Sequence, residues 1–145
     1  MTRLHVEVVI DAPPAAVWAE IEDVASHVEW MAEAVAIRFR SAQHQGVGTE
    51  IECDTRVGPL TTTDVLRFVE WTPPRVMGIE HTGAVKGSGR FLLEPIADSR
   101  TRFAWDEDLT FPLRLGGRLG GVVGAALLRR VWARNLTRLK RRIEA

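Results

Sequence analysis

Two polar residues stand where strand alternation would place them among large apolar side chains. His81 lies in Arg75–Thr82, where Met77, Ile79 and His81 alternate with Val76, Gly78 and Glu80. Glu107 lies in Thr101–Phe111, in phase with Phe103, Trp105, Leu109 and Phe111. A strand turns every second side chain to the same face, so both groups share an apolar face. A carboxyl placed there is costly unless paired or protonated, and its pKa rises. In an apolar cleft, Glu107 and His81 are therefore candidate catalytic groups, acid and base, or anchors that orient a ligand. The plainer reading sets both at strand ends, wetted or hydrogen-bonded, with no such role.

Other chemistry finds no support in the spacing. His5, His27, His44 and His81 are scattered and no CxxC occurs, so no metal site is expected. Gly87-Ser88-Gly89 lacks the flanking residues of a nucleophile elbow or a phosphate loop, and no dinucleotide fingerprint is present. No cofactor is expected. Cys53, the single cysteine, excludes an intrachain disulfide and fits a reducing compartment. On the inner face of its strand it reads as a small buried hydrophobe.

The elements that must hold these residues follow from the pattern. Arg3–Asp11 alternates Leu4, Val6, Val8 and Ile10 against Arg3, His5 and Glu7, a half-buried strand. Proline then opens a helix, Pro14–Glu22, with Val17, Trp18 and Ile21 inward. Asp23 is placed to cap a second short helix ending near Trp30. A second strand alternates Val35, Ile37 and Phe39 with Ala36, Arg38 and Arg40. The third, Thr49–Val57, sets Thr49, Ile51, Cys53, Thr55 and Val57 on one face. The fourth, Leu60–Trp71, has a broken period and no assignable faces. Arg75–Thr82, the stretch near Gly87–Glu94 (Phe91 and Leu93 together) and Thr101–Phe111 complete seven strands.

The last element is helical: Ala125, Leu128, Trp132, Leu136, Leu139 and Ile143 recur at steps of three and four. Its glycine-rich approach, Gly116, Gly117, Gly120, Gly121 and Gly124, costs a helix up to ~1 kcal/mol per residue. A mobile or broken segment is expected there, with firm helix from about Val122. Strand, two helices, six strands and one long helix make an α+β architecture, an antiparallel sheet with helices on one face. A curved sheet round a long helix does not close at its open end, and ligands sit in such gaps. Trp105 and Trp132 lie on the two surfaces meant to face each other there.

Length and composition agree. The 145 residues, 46% hydrophobic and 26% charged with zero net charge, fit one globular domain spanning 1–145. From Leu113 onward nine Arg or Lys stand against one Glu, so the tail is near +8 and the body near −8. That favours either an anionic partner or, more plainly, a basic helix held against its own acidic sheet. No nucleic-acid partner is expected. The longest uncharged run of the tail, Leu119 to Leu128, falls short of the ~20 residues that span a bilayer. No transmembrane segment is expected, though a peripheral membrane contact is compatible with the glycine-rich stretch. The N-terminal residues show no long apolar run of a signal peptide, and a cytoplasmic location is expected.

Taken in order, these landmarks resemble the START-like, helix-grip (SRPBCC) superfamily of polyketide cyclase/dehydrase and lipid-transport proteins. The first strand runs into Ala12-Pro13-Pro14-Ala15-Ala16-Val17-Trp18, and Trp30 closes the second short helix. Gly46-Val47-Gly48-Thr49 forms a hairpin, and Glu70-Trp71-Thr72-Pro73-Pro74-Arg75 precedes the fifth strand. The resemblance covers essentially the whole chain. It implies a curved seven-stranded antiparallel sheet around a long C-terminal helix, and a hydrophobic cavity between them.

The expected function is non-covalent binding of a hydrophobic small molecule (lipid, polyketide or isoprenoid-like) in that cavity. Val6, Val8, Ile51, Cys53, Met77, Ile79, Phe91, Phe103, Trp105, Leu128 and Trp132 would form its walls, and His81 and Glu107 would orient the guest. Two alternatives stand beside it. One is a cyclase or dehydratase using Glu107 and His81; the other is a protein-interaction module acting through the basic terminal helix.

Overall fold

Alternation along β1 (Thr2–Ile10) buries Leu4, Val6 and Ile10 and leaves Arg3, His5 and Glu7 in water. The computed structural model describes residues 2–111 and 117–145, and side chains outside 117–122. After β1, α1 (Pro14–Ile21) starts on a proline and turns Val17, Trp18 and Ile21 inward. A 3-10 segment follows, Val24–Glu29. The Asp23 side chain does not cap it, contrary to expectation. Instead the Asp23 carbonyl accepts the Ser26 hydroxyl at 2.7 Å, which suits the tighter 3-10 winding.

Six strands succeed one another: β2 (Ala34–Phe39), β3 (Glu50–Val57), β4 (Leu60–Thr72), β5 (Val76–Thr82), β6 (Lys86–Ala97) and β7 (Arg100–Thr110). Their order is β1-β7-β6-β5-β4-β3-β2, antiparallel throughout. β1 and β2 are thus the two edges, and α1 with the 3-10 segment carries the chain from one to the other. With α2 (Gly117–Glu144) laid on one face, this is the helix-grip fold.

Two bulges correct the alternation. Register shifts between Ala34 and Ala36, and Val35, expected beside Ile37 and Phe39, is 53% exposed. In β4 the shift falls between Phe68 and Glu70. Thr62, Asp64, Leu66 and Phe68 face inward before it, and Trp71 faces inward after it. The faces of β4 were unassignable in the sequence because they change parity there.

α2 begins earlier than expected. Gly117, Gly120, Gly121 and Gly124 lie inside it, in place of a break before Val122; Gly116 lies outside the described residues. Adding residues to an existing helix gains a hydrogen bond each time, and the packed stripe further on supplies the nucleus. Ala125, Trp132, Leu136 and Leu139 of that stripe are buried, with Leu128 and Ile143 partly so. The helix end is tied down. Glu144 accepts the Asp11 backbone N–H at 2.7 Å, and Arg142 donates to Glu20 (2.9 and 2.6 Å) and Glu29 (3.1 Å). Here the basic tail meets the acidic body.

Candidate ligand cavity

Sheet and helix are in solid contact where Trp105 of β7 stacks on Trp132 of α2, ring centroids 4.5 Å apart and planes 14° from parallel. Trp30 and Phe91 close round them edge-on at 6.2 and 5.3 Å from Trp105. Toward β3, β4 and β5 the two layers separate and leave a cavity of about 260 Å³. Leu60 at the β3–β4 turn and Leu127 of α2 line it while 56% and 48% exposed, which marks its mouth.

Of the residues expected to touch a ligand, Ile51, Cys53, Met77, Ile79, His81, Phe91, Trp105, Glu107, Leu128 and Trp132 line this space. Val8 and Phe103 are not among its lining residues. They are partners in the β1–β7 register, and Phe103, fully buried, packs on Phe91 at 5.1 Å in the solid part of the core. Val6 lies there as well.

A polar stripe crosses the concave face. His81 Nε2 donates to Glu107 Oε2 at 3.0 Å, with 12% and 5% of the two side chains exposed. Glu107 Oε1 accepts the Trp105 indole N–H at 3.2 Å. β5 and β7 are not neighbours; β6 runs between them. The pair meets because β6 presents glycine there: Gly89 is opposite Glu107 in register, and a Cβ on it would stand 2.7 Å from Glu107 Oε1. Gly87, at φ +142°, could carry no Cβ either, since Asp108 O would be 1.9 Å away. The Gly-Ser-Gly stretch thus clears the floor under an ion pair.

Burial works to lower the pKa of His81, but the hydrogen bond and charge of Glu107, helped by Asp64, leave it above 6.5. The protonated form of the imidazole is thereby favoured beside the Glu107 carboxyl, inside an apolar space. Such a pair can give and take a proton, or hold a polar group in place.

Further polar groups were missed in the sequence. Asp64 Oδ2 accepts the hydroxyls of Thr55 (3.0 Å) and Thr62 (3.4 Å), while its Oδ1 is buried with no partner. Glu33 Oε1 accepts Asn135 Nδ2 at 2.6 Å; Asn135 Oδ1 accepts Ala32 N–H and Arg138 Nη1, each at 3.0 Å. Burial raises the pKa of Glu33 against these bonds. Burial also pushes the Cys53 thiol up to about 11, so it is an inert wall residue. The Asp64 signal was hidden by the β4 bulge, and Glu33 sits outside any alternating run. Asn135 did carry a signal, one step of three from Trp132 on the inner stripe.

The family model for "Polyketide cyclase / dehydrase and lipid transport" matches residues 1–144. The chain belongs to this family. Solved structures agree on the fold of a family member. The Zhui aromatase/cyclase of Streptomyces sp. R1128 superposes with TM-score 0.80 at 16% identity, covering 98% of this chain and 93% of that one. A START superfamily protein of Mycobacterium smegmatis gives 0.81 at 13%, covering 99% and 98%. A Thermus thermophilus protein gives 0.77 at 17%, covering 97% and 96%. At these identities the likeness is one of fold. No curated protein matches the chain significantly. Among the described residues no helix is long and apolar enough to cross a membrane.

Proposed function

We propose that the chain binds a hydrophobic small molecule, of lipid, polyketide or isoprenoid kind, non-covalently between its sheet and α2. The observation that carries this is the apolar space of about 260 Å³ beside the Trp105–Trp132 stack. Protein cores are normally filled to crystal density, and an apolar hollow open at Leu60 and Leu127 gains free energy by taking a guest of like character. The family's printed scope, cyclase/dehydrase and lipid transport, is in keeping with such a guest. The test is extraction of the purified protein and mass spectrometry of what comes with it, followed by titration of tryptophan fluorescence with a lipophilic panel. Bound lipophile and a saturable change at Trp105 and Trp132 support the proposal; an empty extract and a flat response across the panel end it.

A second reading is favoured by the His81–Glu107 pair, 3.0 Å apart on the cavity wall. In it the pair acts as acid and base on a bound carbonyl compound, as a cyclase or dehydratase would require. Glu107→Gln then abolishes turnover and keeps binding within a small factor; retained turnover removes the assignment.

A further inference from the structure

We infer that the guest is an apolar molecule with a hydrogen-bond-donating head, a hydroxyl or an ammonium, and that carboxylate-headed molecules are turned away. This rests on the proposal that the cavity takes a guest at all. The argument is a count of donors and acceptors along the polar stripe.

The donors are committed to the protein itself. Thr55 and Thr62 give their hydroxyl hydrogens to Asp64, and Trp105 and His81 Nε2 give theirs to Glu107. Asn135 gives to Glu33, and His27 Nε2 to the Ile21 carbonyl at 2.7 Å. Arg90 borders the cavity, but its side chain alternates with Gly89 and Phe91 onto the outer face of β6, where Nε and Nη2 bind Glu70 at 3.0 and 3.1 Å. The Trp132 indole N–H is turned to Glu33, and the second ring nitrogen of His81, when the ring is protonated, is left to offer a hydrogen.

Acceptors remain in excess. Glu33, Asp64 and Glu107 all border the cavity, and a carboxylate has about four lone-pair sites. Asp64 is the plainest case, with Oδ1 buried and unpartnered. A buried acceptor without a donor is a standing penalty that a donor removes. The register places it centrally: Asp64 pairs with Cys53 of β3, and Leu66, two residues on, pairs with His81 of β5. The wall opposite, Leu127 and Leu128 of α2, is apolar.

The guest therefore lies with its body against the helix and its head against β4 and β5. A hydroxyl gives its hydrogen to Asp64, whose charge acts on His81 of the same wall. An ammonium serves the carboxylates. A carboxylate head brings only more acceptors and another negative charge among three carboxyls and one imidazole.

The test is isothermal titration calorimetry of the full chain with guests that share one body: naphthalene, 2-naphthol, 2-(aminomethyl)naphthalene and 2-naphthoate. The naphthol and the amine are expected to bind about tenfold or more tighter than the naphthoate. Asp64→Asn keeps the shape and exchanges the charge for an N–H. In it the gap between amine and naphthoate narrows by about fivefold or more, with naphthalene unchanged. Naphthoate binding as tightly as naphthol overturns the inference and leaves the cavity proposal standing, and so does an unchanged gap in folded Asp64→Asn. If that variant does not fold, the wild-type series decides alone. Failure of every guest, naphthalene included, overturns the inference and the cavity proposal together.

Discussion

His81 on β5 and Glu107 on β7 join, Nε2 to Oε2 at 3.0 Å, over a strand to which neither belongs. Gly89 of that strand is the condition for it. Gly89→Ala places a methyl about where the Glu107 carboxyl now lies. The expected result is a loss of about 1–3 kcal/mol in stability and a His81 ring that titrates at lower pH, followed by NMR. An alanine variant as stable as the wild type, with His81 unmoved, would show that the crossing has slack.

The same pair sets a dependence on alkaline pH. His81 titrates above 6.5 in the folded chain, so the stability it contributes is complete below pH 6.5 and drains away as pH rises through the raised value. Glu107→Gln removes the main raising partner and leaves burial opposed by the charge of Asp64. Denaturant unfolding from pH 6 to 9 should show the wild type losing stability and the variant losing less. Parallel curves would mean that the ion pair contributes nothing.

His27 works in the other direction. It is wholly buried, and burial holds its pKa down to about 4. Its Nε2–H is given to the Ile21 carbonyl at 2.7 Å. Between pH 6.5 and 4 the unfolded chain takes up a proton that the folded chain refuses, which costs about 3 kcal/mol by the lower limit. His27→Gln keeps a donor for Ile21 and should flatten this acid limb, measured by urea midpoints at pH 4.5 and 7. An acid limb of unchanged depth would place the sensitivity elsewhere.

Asn135, with no exposed surface, holds Glu33 and the Ala32 amide to α2. Asn135→Ala takes the amide partner from the buried Glu33 carboxyl and from the part-buried Ala32 N–H. The expected loss is about 2–4 kcal/mol, a fall of roughly 10 °C in Tm by calorimetry. A loss under ~1 kcal/mol would mean that water replaces the amide.

Most of the fold was legible because the apolar residues keep strict time. Met77, Ile79 and His81, or Phe103, Trp105 and Glu107, name their face by parity alone, and Ala125 to Ile143 by steps of three and four. The site was legible where it lies on those runs, and for that reason His81 and Glu107 stood out. It was illegible where a single inserted residue resets the count, as at Val35 and Val69, and where a polar group sits in a turn, as Glu33 does. Parity also says which face a residue takes but not how far along the strand the layers part. Val8 and Phe103 share the inward face yet lie in the solid core. Helix start was misjudged because the cost of each glycine is local, while helix growth draws on packing further down the chain.

The irregularity at Val69 divides β4 between two rooms. Upstream, Thr62, Asp64, Leu66 and Phe68 furnish the hollow; downstream, Trp71 leans on Trp18 at 5.6 Å and belongs to the structural core. Substitutions at Thr62, Asp64 or Leu66 would change the lining of the hollow and leave the Trp18–Trp71 contact alone, whereas Phe68, which meets Trp71 at 5.4 Å, belongs to both rooms. A single strand thereby carries cavity lining and core packing on successive stretches that meet at Phe68.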